Sequence, residues 1–453
     1  MSHWPPDARR APAWTRLPPS RPAAVRRPDT YDLWLLAAGL LIVGTVVFNF
    51  FLAFLNTRVM GISQNTVILA ELVLIAGAML LAADRRAGLY ALLAIYLSYM
   101  ALILALRPEL DLKAIRDGLI PIVFYFLGRR VRDIAGVDRI VLLTAAIVVA
   151  VGLFEYFLLD VFIAYVNVLQ YYVARGSLEV AEHIVEGSSL FISGIRMEGR
   201  NMLPFLGTHR VSSVFLEPVG MGNYGAFLVL WAVFRKDMAG RGLLFIAGCV
   251  VLILCDARFG TMVCFASVGA MLVYRLVPSL IWFLVPALII LAMAIYGMTT
   301  DALRWEDNFG GRWLHASWLL LKLDIQGVFG ISTYDGFLED NGYAYSLHQF
   351  GLIGVAGLWA LYIFAPLRSL DAWRFRVPII VYICLLMVVS ASLYSIKTAA
   401  LFWFCAGAVD VWRGFASGRA QPVASPSVVN LKYASISQRP SERISNSKTT
   451  LET

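Results

Sequence analysis

Charge is what this sequence has least of. Of its 453 residues, 15% are charged and 59% hydrophobic. That balance excludes a single soluble globular domain and fits a chain threaded many times through a membrane. Cysteine is scarce as well. Cys249, Cys255, Cys264, Cys384 and Cys405 all fall in or at the ends of apolar runs, which excludes a disulfide framework and any Cys/His metal spacing. No Asp-x-Asp motif occurs, and no convincing internal repeat; Glu109-Leu110-Asp111 is the nearest approach to a metal-holding pair and a weak one. The net charge of +8 sits largely in the tails and in clusters beside apolar runs, where membrane topology demands it, and so does not indicate nucleic acid.

What the chain has is apolar runs of spanning length. A crossing helix needs about 20 apolar residues. Twelve runs qualify, some by borrowing flanking residues: Leu33–Leu55, Thr66–Ala83, Leu89–Leu106, Leu119–Leu127, Ile140–Leu159, Phe215–Phe234, Leu243–Cys255, Thr261–Tyr274, Leu280–Met298, Leu352–Phe364, Val377–Ser390 and Thr398–Val411. The predicted fold class is therefore an all-α polytopic membrane protein with about 12 transmembrane helices. Six arginines lie in residues 1–30, and clusters such as Arg129-Arg130-Val131-Arg132, Arg235-Lys236 and Arg374/Arg376 follow even-numbered runs. By the positive-inside rule both termini are cytoplasmic. Arg107, Lys113 and Arg116 fall outside on this count, against the trend. Residues 1–30 are Pro/Arg-rich and 414–453 Ser/Pro/Lys/Arg-rich, and both read as disordered tails around a membrane domain, 31–413.

Two connections are long, about 160–210 and about 299–350, and both are expected on the outer face. They carry aromatics, mixed charge and short apolar stretches (Val180–Ile184, Leu190–Ile195), so they are expected to fold there. Four of the five histidines, His183, His209, His315 and His348, lie in them.

Three charged constellations mark the same face. In Arg210–Tyr224 (RVSSVFLEPVGMGNY), Arg210 and Glu217 stand where the first loop re-enters the membrane, with Gly220 and Gly222 permitting close backbone approach. An Arg–Glu pair closing a helix end is the plainer explanation. In LCDARFG, Arg258 occupies a five-residue turn, where a pair with Asp256 is again the plain alternative. In the second loop, Gly310-Gly311-Arg312-Trp313 opens a helix-like stretch, Leu314–Leu323. Gly327-Val328-Phe329-Gly330 and then Glu339-Asp340-Asn341-Gly342-Tyr343-Ala344-Tyr345-Ser346-Leu347-His348 follow, before re-entry at Gly351. Span interiors are expected to be nearly free of charge. Arginines at helix mouths suit a lipid-linked diphosphate, because a guanidinium forks onto phosphate oxygens and keeps its charge. A nearby carboxylate suits proton removal from a sugar hydroxyl.

At these residues the chain resembles the bacterial O-antigen polymerase and ligase group, the Wzy-like polymerases. RVSSVFLEPVGMGNYGAF is similar to the family's Arg-x-x-x-x-Phe-x-x-Pro segment and CDARFG to its Ser-Arg-Gly turn. GRWLHASWLLL, GVFG and DNGYAYSLHQFGLIG are similar to its Gly-Arg, Gly-x-Gly and terminal-loop pattern. The resemblance covers about residues 210–354. It implies a GT-C-like, inverting, metal-independent glycosyltransferase without cofactor, polymerising undecaprenyl-diphosphate-linked repeat units into exopolysaccharide or O-antigen. Its partners would be lipid-linked glycan donor and acceptor, the bilayer and a chain-length regulator, with no nucleic acid. By the resemblance, Arg210 and Arg258 bind the donor diphosphate and Asp340 is the base, while Glu217 orients an arginine. Arg312, Asn341, Tyr343 and His348 complete the substrate-binding set. The ligases carry His-Asn where this chain has Asp340-Asn341, which favours polymerase over ligase. An Arg-x10-Gly pattern also runs from Arg196 to Gly207. A ligase and, in a different class, a polysaccharide transporter or flippase are the alternatives.

Overall fold

The computed structural model describes residues 29–415, apart from 85–86, 110, 177–191, 197–199, 201, 301–308 and 334–335. Both expected tails except residues 29–30 and 414–415, together with His183 and the Val180–Ile184 stretch, lie outside the described residues. In chain order the α-helices are α1 (Thr30–Arg58), α2 (Gln64–Ala82), α3 (Ala87–Leu106), α4 (Leu112–Gly128), α5 (Ile134–Phe157), α6 (Leu159–Tyr165), α7 (Val168–Ala174) and α8 (Pro218–Phe234). They continue with α9 (Arg241–Leu254), α10 (Arg258–Val273), α11 (Ser279–Thr299), α12 (Phe309–Leu321), α13 (Ile325–Val328), α14 (Gly342–Phe364), α15 (Leu370–Val389) and α16 (Ile396–Val411). Among the described residues there is no strand, only an isolated bridge between Ile195 and His209.

Each of the twelve apolar runs falls mainly on one of these helices, some overhanging an end: α1 to α5, α8 to α11 and α14 to α16. Seven of them (α1, α2, α3, α5, α11, α14 and α15) are long and apolar enough to cross a membrane. The chain is an all-helical polytopic membrane protein. α4, α8, α9, α10 and α16 run 14–17 residues, a rise of about 21–26 Å. Outward faces carry Leu36, Leu40, Phe51, Leu80, Phe265, Leu272 and Leu288 rather than charge. This is the reverse of a soluble protein, where an exposed helix face is polar.

α8 and α16 form the centre, with almost every residue buried. α16 lies so close to α4 that a Cβ on Gly128 or Gly407 would strike the other helix's backbone. Small residues at a crossing are how membrane helices pack tightly when lipid and leucine are equally apolar.

Helix α14 is broken at Gly351 (φ 66, ψ 162), a conformation essentially reserved for glycine. Its first part, residues 342–350, is buried throughout; beyond the break, Leu352, Ile353 and Leu361 are exposed. The sequence places a membrane re-entry at Gly351. The helix instead begins nine residues earlier, and the glycine is its hinge. Side chains meet carbonyls at the break and on the adjoining turn. Arg107 donates to Gly330 O (2.6 Å), His348 O and Gln349 O (3.0 Å), and the Tyr99 hydroxyl donates to Phe350 O (2.7 Å).

That accounts for Arg107, one of three cations on the wrong side by topology. Lys113 pairs with Glu339, and Arg116 pairs with Asp117 (2.7 Å) and Glu71 (2.6 Å). Glu71 stands well inside α2, and Tyr345 donates to Asp117. The expectation of nearly charge-free span interiors is therefore corrected. At the opposite end of the bundle, Arg235 pairs with Asp138 (2.8 Å) and Arg376 with Asp410 (2.6 Å), all buried. A charge buried in so apolar a setting persists only when paired.

Candidate functional site

The segment before α8 is irregular backbone packed inside protein, so its polar groups need partners. Glu155, near the end of α5, supplies them. Its carboxylate accepts from the Ser212 amide (3.0 Å) and hydroxyl, from the Ser213 amide, and faces His209 Nε2 at 3.1 Å. This holds Ser213 and Leu216 at positive φ, 50° and 61°. Arg210 Nε donates to Cys255 O (3.0 Å) and Nη1 to Ser193 O (2.9 Å). Arg210 is only 6% exposed, so two of its three guanidinium nitrogens tie the first loop to the end of α9. Arg200 does likewise, donating to His209 O (2.7 Å) and Leu254 O (2.9 Å).

Glu217 caps the mouth of α8, but its partner is not Arg210. Its Oε1 lies 3.0 Å from Lys397 Nζ at the start of α16 and accepts from the Tyr172 hydroxyl (2.7 Å). Lys397 also donates to Phe215 O (3.1 Å). Burial alone would raise the Glu217 carboxyl; Lys397 and Tyr172 outweigh it and hold it below the usual value. Gly222 permits a close approach, and what approaches is Ala257, whose Cβ would lie 2.5 Å from a Cβ added there. The first two constellations thus pack directly on each other.

Arg258 is the first residue of α10 and exposed. Its neighbour Asp256 is buried at positive φ (49°), accepts from the Met202 amide (2.9 Å) and lies 3.7 Å from Arg196 Nε. Arg196 is the hub. Burial, then the like charges of Arg258 and Arg312, lower its pKa, with Asp256 opposing. Arg210 is pushed down to about 10, by burial first and then by Arg196, with Arg312 adding to the effect. Four arginines, two from the first loop and one each from α10 and α12, thus share one electrostatic neighbourhood.

Beside them, at the start of α14, an open cavity of about 490 Å³ is lined by Arg312, His315, Trp318, Asp340 and Val389. Its volume is in the range of ligand sites. Arg312, His315 and Trp318 recur every three residues and so share one face of α12. His315 Nε2 lies 3.9 Å from Asp340 Oδ2, and 42% and 60% of the two side chains are exposed. Partial burial raises the Asp340 pKa, opposed by His315 and Arg312 and reinforced by Glu339 and Glu217. The two candidate carboxylates are thus driven apart, Glu217 down and Asp340 up. Divergent environments of this kind separate a fixed anion from a proton acceptor.

Of the expected set, Arg312 and Asp340 line the cavity, Glu217 acts on Asp340 electrostatically, and Arg210 and Arg258 are linked to Arg312 through Arg196; the remaining three are placed otherwise. Asn341 is fully buried. It caps α14, accepting from the amides of Tyr343 (2.9 Å) and Ala344 (3.1 Å), and donates to Ala316 O (2.6 Å) on α12. The Tyr343 hydroxyl donates to Cys384 O (2.8 Å). His348 is buried one turn before the break, under Arg107. These three build the frame that presents Asp340. Arg196, Lys397, Glu155 and His315 belong to the neighbourhood and were not singled out by sequence reasoning as functional. Only Arg196 carried a signal, the weak Arg-x10-Gly spacing. Comparison with family models, with curated proteins and with solved structures finds no match for this chain.

Proposed function

We propose that this protein is an inverting glycosyltransferase that polymerises undecaprenyl-diphosphate-linked oligosaccharide repeat units into exopolysaccharide or O-antigen. In this reading the bundle is GT-C-like and makes twelve crossings, with both termini cytoplasmic. The site faces the periplasm from the inner membrane. A chain-length regulator is its expected protein partner. The observation that carries the reading is the crowding of Arg196, Arg210, Arg258 and Arg312 beside the Asp340 cavity. Holding like charges close costs free energy, and an arriving diphosphate relieves that cost.

The chemistry follows from the arrangement. The acceptor hydroxyl oxygen attacks the donor's anomeric carbon, and the bond to the diphosphate breaks with its electron pair on the leaving oxygen. The arginines offset the charge that grows there. The hydroxyl proton passes to the basic group of the cavity, which contains Asp340. Glu217, locked to Lys397, stays ionised and fixes the mouth of α8. Arg210 holds the loop and offers its remaining edge to phosphate; Arg258 and Arg312 are the better-placed grips.

The test uses purified protein in detergent, given lipid-linked repeat units extracted from cells deleted for this gene. Lengthening of the lipid-linked glycan by the wild type, and its loss in both Arg258→Ala and Arg312→Ala, supports the reading. No lengthening by the wild type, or none of it lost in either variant, overturns it.

Transport is the second reading, favoured by the break in α14 and by the buried Glu71–Arg116–Asp117 group. Broken helices and buried ionisable residues mark transporters. Movement of a fluorescent lipid-linked glycan across proteoliposomes without any change in its length would favour it.

A further inference from the structure

The cavity beside α14 contains a second basic group that the functional reading does not use. His315 stands on the α12 face that also carries Arg312 and Trp318, and its Nε2 looks at Asp340 Oδ2 across 3.9 Å. Both side chains are open to the cavity. The frame around them is stiff. Asn341, next to Asp340, ties the start of α14 to Ala316 O, next to His315, at 2.6 Å. A single buried amide thus sets the separation of the two helices at the point where the two side chains meet. A rigid backbone brace beneath two exposed, facing titratable groups is how a catalytic pair is held in register.

Resting on the glycosyltransferase reading, we propose that the proton acceptor is the His315–Asp340 pair, not the carboxylate alone. The acceptor hydroxyl loses its proton to the imidazole nitrogen turned away from Asp340, Nδ1. The oxygen's electron pair forms the new glycosidic bond, and the diphosphate departs with the electrons of the old one. Asp340 orients the ring through Nε2 and stabilises the imidazolium. It does not itself take the proton. The proton then leaves to solvent through the open side of the cavity. Trp318, on the same helical face, lies where its ring can stack on the apolar face of the acceptor sugar.

Among the described residues, the groups facing the pair are few. Arg312 shares its helix face, and Glu217 and Glu339 act on Asp340 from the mouth of α8 and from the adjoining turn. Lys113 is paired with Glu339. α11 carries no charged residue, and α15 brings Val389 here while its charges, Asp371, Arg374 and Arg376, lie at its other end. The variants, rather than the profile alone, assign to the pair any pH dependence in the interval where imidazole changes charge, about pH 5–8.

The experiment measures the initial rate of glycan lengthening against pH for wild type, His315→Gln, His315→Ala and Asp340→Asn. The same extracted lipid-linked repeat units serve as substrate. The wild-type rate is expected to fall on the acid side within the imidazole range. His315→Gln is expected to lose about 10²-fold or more and to lack that limb. His315→Ala is expected to regain rate when imidazole is added. In a double-mutant cycle His315→Gln with Asp340→Asn is expected to cost little more than either alone. A wild-type acid limb confined to the carboxylate range overturns the pairing without recourse to any variant. So does a His315→Gln enzyme with wild-type rate and profile. Those outcomes leave the glycosyltransferase reading standing; only failure of the wild type to lengthen the glycan removes that.

Discussion

Gly351 is the residue on which the geometry of the site most depends, and its replacement by alanine has a cost that can be worked from the structure. At φ 66, ψ 162 a non-glycine residue carries about 1–3 kcal/mol of strain. The added Cβ would also strike the Phe329 carbonyl oxygen, with its carbon at 2.9 Å and the Tyr99 hydroxyl at 3.1 Å. Backbone cannot swing aside as a side chain can, so overpacking adds about 1–3 kcal/mol. Gly351→Ala is therefore expected to destabilise by about 2–6 kcal/mol. Six residues on in the same helix, Gly357 meets nothing within 4 Å of an added Cβ. Gly357→Ala should stabilise by about 0.5–1 kcal/mol, the ordinary helix gain. Both are measured as shifts in the midpoint of SDS-driven unfolding in mixed micelles. Gly351→Ala must also reduce activity, since the break delivers residues 342–350 and hence Asp340. If the two variants unfold together, α14 is not broken at Gly351 and the account of the cavity falls with it.

The two carboxylates should respond in opposite ways. Asp340 is raised by its surroundings, so the fold disfavours its charge; Asp340→Asn should slow lengthening about as much as His315→Gln does, while thermal stability stays level or rises. Glu217 is lowered. Its stabilising contribution is present above the ordinary carboxylate value and disappears as pH falls through the lower folded one. Glu217→Gln should cost about 1–3 kcal/mol, less than a fully buried pair because the carboxylate is partly exposed. A cycle with Lys397→Met should show at least about 1 kcal/mol of coupling in the unfolding midpoint, and strict additivity would refute the pair. Arg107→Lys keeps the charge but cannot reach Gly330, His348 and Gln349 together. It should lose about 2–4 kcal/mol in the same unfolding assay.

Much of the architecture was legible because a bilayer imposes length and apolarity on each helix separately. All twelve runs fall mainly on helices, and even the shortest, Leu119–Leu127, extends to α4 once its polar start at Leu112 is included. The start of α14 was misplaced at Gly351, although Asn341 is a residue type that caps helices well. The charge pairs were not legible. Lys113 meets Glu339 226 positions away, and Lys397 meets Glu217 from the far end of the chain. No local spacing reveals such partners. Arg210 and Glu217, seven residues apart, look like a pair in sequence, yet the irregular turn between them sends one to Cys255 and the other to Lys397. The same distance in sequence hid the function of Arg107, which reads as a misplaced topological charge until the broken helix it caps is seen.

The most direct measurement is the affinity of purified protein in nanodiscs for undecaprenyl diphosphate, read by native mass spectrometry across a salt series. Each charge-assisted contact is worth about 1.5–3 kcal/mol. Arg196→Ala, Arg258→Ala and Arg312→Ala should therefore each weaken binding roughly 10–150-fold, with wild-type affinity falling as salt rises. Equal affinity in all four proteins would contradict the claim that these arginines form a diphosphate site.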